Sequence, residues 1–152
     1  MKTNLKIDLS ILDEYDDYAK ANSDNWNIQS YLNMKYDINA AIAFSKFFFP
    51  DFVEREKCII LESRYNEGIF DEWYNEFNGD IEEVEKASNF YDIKDFFNIN
   101  GVGDVNQLEV LGIILKSILE INLKNLFPDK KFEIYLIENY GETSITFHQK
   151  LK

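Results

Sequence analysis

Residues 105–149 change their hydrophobic period once, at Pro128, and that change dictates most of what this chain can fold into. VNQLEVLGIILKSILEINLKNLF (105–127) is apolar at helical spacing, with Leu108, Leu111, Leu115, Ile118 and Leu119 on one broad face. Lys116, Glu120 and Lys124 recur every four residues on the other side, a solvent stripe of alternating charge. Asp104 with Gln107 supplies a capping-box-like start. Beyond Pro128 the period drops to two. KKFEIYLIE (130–138) and ETSITFHQK (142–150) alternate around Asn139-Tyr140-Gly141, which marks a hairpin. Phe132, Ile134 and Leu136 are expected to meet Ile145 and Phe147 on its inner face. A long buried helix over 105–126 beside a hairpin over 131–149 predicts an α+β fold with a small antiparallel sheet.

The rest of the chain reads as shorter elements. Residues 3–10 alternate like a strand, and 11–22 fit a helix equally well. From Asp37, a good N-cap residue, DINAAIAFSKFFF reads as a helix that Pro50 stops. Its circumference is apolar apart from Ser45 and Lys46, which predicts a buried helix, so the phenylalanines of FSKFFFPDF (44–52) are expected in the core, with Phe52 open as a partner anchor. KCIILES (57–63) is a β-rich run. IFDEWYNEF (69–77), DIEEVEKAS (80–88) and YDIKDFF (91–97) read as short acidic helices, the first with Phe70, Trp73, Tyr74 and Phe77 at helical spacing. With no linker, repeat or low-complexity tract, residues 1–152 are expected to form a single domain.

The net charge of −12 lies in two windows. Residues 8–24 carry six acids, among them Asp13, Glu14, Asp16 and Asp17, against Lys20. Residues 71–95 carry nine, among them Asp71, Glu72, Glu76, Asp80, Glu82 and Glu83, against Lys86 and Lys94. Such a field repels nucleic acids and anionic membranes and attracts basic surfaces. With two arginines and dispersed lysines there is no footprint for a phosphate backbone. The lone Cys58 permits no internal disulfide, and no segment approaches the length of a membrane span. The chain is expected to be cytoplasmic.

Catalytic patterns are scarce. His148 is the only histidine, and its strand period places it on a polar face near the end of the chain, poor for a preorganised base. Cys58 lies in CIIL, an apolar setting that suppresses the thiolate. Asp13-Glu14-Tyr15-Asp16-Asp17 is dense in carboxylates but lacks the spacing of a calcium loop. NINGVGDVN (98–106) fails as a dinucleotide loop because Asn106 stands where a third glycine belongs. No catalytic residue, metal or cofactor is expected.

Phe48-Phe49-Pro50-Asp51-Phe52-Val53-Glu54 followed by Cys58-Ile59-Ile60-Leu61 resembles the "FxPxF, then apolar strand" signature of a family of small, uncharacterised bacterial proteins. Trp73, Gly79-Asp80, Val84-Glu85, Asn89 and Phe127-Pro128 before Phe132 carry the same likeness. These positions specify a fold, and the resemblance implies no catalytic residue. In type, a compact acidic domain without catalytic apparatus is also similar to the immunity proteins of bacterial toxin systems, contact-dependent inhibition included.

Together these readings favour a binding protein over an enzyme. The acidic face would dock onto a basic protein partner, a toxin nuclease above all, through Asp71, Glu72, Trp73, Glu76, Asp80, Glu82 and Glu83. Asp13, Glu14, Asp16 and Asp17 would form a secondary acidic patch. The alternatives are a carboxylate- or metal-dependent hydrolase using Asp13, Asp16, Asp17 or the acids at 80–85, and a structural homodimer joined through the exposed edge of the C-terminal hairpin.

Overall fold

The computed structural model of this protein describes residues 5–97 and 104–151. The chain separates into two compact units, Met1–Ser45 and Lys46–Lys152. Most of NINGVGDVN lies outside the described residues.

In the first unit, Asp8 does not continue a strand. Its carboxylate accepts from the Ser10 N–H, and this local bond turns Leu9–Ile11 into a 3-10 helix. Helices α1 (Tyr15–Asn22) and α2 (Ile28–Lys35) follow, then the start of α3 (Ile38–Phe48). Tyr31 is the one buried side chain of α2. Around it Tyr15, Tyr18, Trp26 and Tyr36 form ring contacts at 5.4–6.4 Å, and its hydroxyl donates to the Asp13 carbonyl at 3.0 Å. Asp37 caps α3 as expected, accepting from the Ala40 N–H at 2.8 Å. The expectation that α3 is buried fails. Ile38 is 79% exposed, Ile42 and Phe44 are exposed, and no residue of the helix is buried. Periodicity tells which faces are apolar, but not how much protein there is to cover them.

The second unit is built from two small antiparallel sheets. A hairpin pairs β1 (Phe52–Arg55) with β2 (Cys58–Leu61), and a three-stranded sheet runs in the order β3 (Tyr91–Asp92), β5 (Glu142–Gln149), β4 (Phe132–Asn139). The β4–β5 hairpin turns at Tyr140 and Gly141, both at positive φ, and sets Ile134 against Phe147 and Leu136 against Ile145, the inner face expected of it. The β1 strand was not expected. Its turn, Glu56-Lys57, holds two non-glycine residues at positive φ and so carries no glycine signal.

Helix α6 (Val105–Leu126) packs on one face of the three-stranded sheet through Leu108, Leu115, Leu119 and Leu123, which cluster with Ile134, Ile145 and Phe147. Gly112 lets it lie close, since a Cβ there would meet the Thr143 methyl at 2.9 Å. It is buried along this face only; Ile113 and Ile121 are exposed. Phe47, Phe48 and Phe52 pack against the same core, which makes Phe52 a core residue, not an anchor. Tyr91–Asp92, expected in a helix, instead forms β3, and only Ile93–Phe96 turns helically. Tyr91 pairs with Ile145, where strand pairing satisfies its backbone better than one further helical turn would.

On the other side lie α4 (Glu67–Glu76) and α5 (Ile81–Ser88), capped by Asn66 and Asp80. Strand β2 is buried on both faces. Ile59 and Leu61 join the α6 core, while Cys58 and Ile60 pack with Phe70 and Val84. Two side chains of α5 satisfy its outer edge. The Ile59 N–H donates to Glu85 Oε1 at 2.6 Å, and the Leu61 N–H donates to Asn89 Oδ1 at 2.9 Å. Asn89 Nδ2 donates to the carbonyls of Ile59 and Phe147, and Glu85 also accepts from the Gln149 N–H and from its side-chain amide. The helix thus stitches one sheet to the other with hydrogen bonds that a strand would otherwise supply. Burial lifts the Glu85 carboxyl above the ordinary glutamate range, while its three donors pull the other way.

Candidate functional site

A helix with its side chains is about 10–12 Å across, and strands lie about 4.8 Å apart, so one helix covers about two strands. Helix α5 sits over β5, where the Thr146 hydroxyl donates to the Lys86 carbonyl at 2.8 Å. The edge strand β4 is left uncovered on that face. Tyr135 and Ile137 are each 41% exposed there. The space between them and α4–α5 is an open groove of about 710 Å³, lined by Trp73, Phe77, Lys86, Phe90, Tyr135 and Ile137 among others. Trp73 stacks on Phe77 at 5.6 Å and 13°, and stays 37% exposed.

The structure sorts the residues expected to contact a partner. Trp73 and Glu83 line the groove, and Glu72 and Glu76 are exposed on α4. Asp71 is engaged by the Arg55 guanidinium at 2.8 Å, which also holds Glu67 and stands over the Phe70 ring. Asp80 caps α5, and Glu82 accepts from the Leu151 N–H. Glu83 holds Lys86 at 2.7 Å and keeps that ammonium protonated above its usual range. The acids that remain turned outward on α4 are Glu72 and Glu76, to either side of Trp73 in sequence, whereas Glu138 on β4 is exposed on the opposite face of the sheet, beside Val105 and Glu109 of α6.

At the end of β4 a polar chain runs through Glu133. Its carboxylate accepts from Lys150 at 2.6 Å and from the Tyr135 hydroxyl at 2.5 Å, and these bonds hold it down at about 2. His148 is 3% exposed, not on a solvated face as expected. The central strand β5 is covered on both sides, so alternation along it does not separate buried from exposed positions. His148 stacks on Tyr135 at 5.6 Å, with Nδ1 against the Gln149 carbonyl.

The secondary patch belongs to the first unit. Glu14 pairs with Lys35, Asp17 approaches Lys20 at 3.8 Å, and Asp13 and Asp16 are exposed. These carboxylates do not converge on a point. Among the described residues no group of three His, Cys, Asp or Glu side chains comes together as metal ligands would. Cys58 is buried, and burial, followed by the nearby Glu85 charge, pushes its thiol up to about 12.

Sequence reasoning missed Phe90, Tyr135 and Ile137. A signal for two of them existed: Glu133, Tyr135, Ile137 and Asn139 share one strand face, where alternation expects polar residues, and two are large and apolar. No described helix is long and apolar enough to cross a membrane. No protein-family model, curated protein or solved structure matches this chain.

Proposed function

We propose that this protein is a non-catalytic binding protein that neutralises or regulates a basic protein partner, after the manner of an immunity protein acting on a toxin nuclease. One observation carries the reading: an open apolar groove, with Trp73 and Phe77 stacked along it, is flanked on α4 by the exposed carboxylates of Glu72 and Glu76, and the edge strand β4 adds Glu138 on its far face. A half-exposed tryptophan at the centre with acids at the rim is the anatomy of a protein interface, in which aromatics anchor and charges steer. The one cation in its lining, Lys86, is already paired with Glu83.

Capture from a cell extract identifies the partner, and association kinetics then test the reading. Combining Glu72→Lys, Glu76→Lys and Glu138→Lys should slow association at least about tenfold at low salt, with the difference shrinking as salt rises. Association that ignores both salt and the three reversals would sink the proposal.

A further inference from the structure

The groove has a property that an acidic face alone does not confer: its floor is an unpaired strand edge. Strand β4 ends the sheet order β3-β5-β4, so one side of its backbone over Phe132–Asn139 bonds to β5 and the other has no strand beside it among the described residues. Edge strands of this length are templates for a further strand. Here the template adjoins a cavity on the face that α5 leaves bare, where Tyr135 and Ile137 project toward Trp73 and Phe90.

Resting on the reading above, we propose that the partner is held through an extended basic segment that adds to β4 as a fourth strand. Alternate side chains of that segment would enter the groove beside Trp73 and Ile137, where its lysines or arginines would meet Glu72 and Glu76, and the side chains between them would meet Glu138 on the opposite face of the sheet. Charge selects this occupant over a second copy of the chain. Each copy brings a net charge of −12, and that like charge opposes the approach of a second copy. A basic strand meets the same carboxylates with attraction.

The test is selection of random peptides of about ten residues, long enough for one strand, on the intact protein. The best binders are then synthesised with plain backbones and with alternate amides N-methylated. Binding is followed by the fluorescence anisotropy of a dye on the peptide, so that every protein variant is read in the same way. The proposal expects binders that alternate basic and apolar residues and lose affinity on Trp73→Ala. N-methylation should weaken them at least about tenfold, because it removes strand pairing and leaves the protein untouched. Basic binders that need Trp73 but tolerate N-methylation overturn the strand and leave the acidic-face reading standing. Binders without basic residues, or insensitive to salt, overturn both. Sedimentation that shows a dimer, lost on Ile137→Lys, would assign the edge to a second copy and overturn the proposal as well.

Discussion

The two units of this protein solve the same problem, holding short elements in place, by different means. Around Tyr31 the first unit relies on ring contacts and a single buried hydroxyl bond, and it leaves the apolar side chains of Ile38 and Ile42 in water. The second closes its core on α6 and then adds a buried polar network, Glu85 and Asn89 on α5, which gives direction as well as stability. Aromatic contacts tolerate many arrangements of similar energy. A buried network whose donors meet fixed acceptors tolerates very few. The difference teaches where substitution should be felt as lost stability and where as lost uniqueness.

The largest expected effect is Glu85→Ala. It leaves the Ile59 N–H, the Gln149 N–H and the Gln149 side-chain amide without their acceptor, at a cost of about 4 kcal/mol in urea unfolding of the second unit. Next comes Tyr31→Ala, at about 3 kcal/mol, because it removes the ring about which the first unit gathers. Amide exchange should then lose protection in α1 and α2 while β5 keeps it. Equal loss in β5 would break the comparison.

Acidity offers a finer probe. The Glu85 carboxyl is raised in the folded chain, so its contribution to stability is whole below the ordinary glutamate range. That contribution declines as pH rises through the folded value. A carbon NMR titration should find the Glu85 midpoint above that of Glu133, which is held at about 2 by Lys150 and Tyr135. The smallest effect is Trp73→Ala. A side chain that leans on Phe77 but remains over a third exposed should cost less than about 1 kcal/mol in thermal melts. A much larger loss would mean that Trp73 serves the fold, and would weaken its assignment to the groove.

Legibility followed the physics of each segment. The 3.6-residue period of α6 and the twofold period of β4 were plain because each element faces one core with one side, and Asp37, Asp80 and Asp104 cap the helices expected of them. Burial on both faces erases such periods, which is why His148 was misplaced. The β1–β2 turn was invisible because Glu56 and Lys57 are not turn residues by type. As for the site, Trp73 and its acidic neighbours could be read along α4, whereas the groove arises from the width of a helix set against three strands. No local pattern encodes that. Glu85 and Asn89 looked like two more polar positions on an acidic helix, and only tertiary structure turns them inward.

The stitch made by α5 also orders events in time. Glu85 lies 64 residues before Gln149, and Asn89 lies 58 before Phe147. Strand β5, central in its sheet, follows the other described strands in the chain, so a growing chain carries a carboxylate and an amide whose partners have not yet been made. Closing so distant a contact is slow relative to forming the helices. For that interval the nine acids of residues 71–95 have already been made while the core strand they will cover has not.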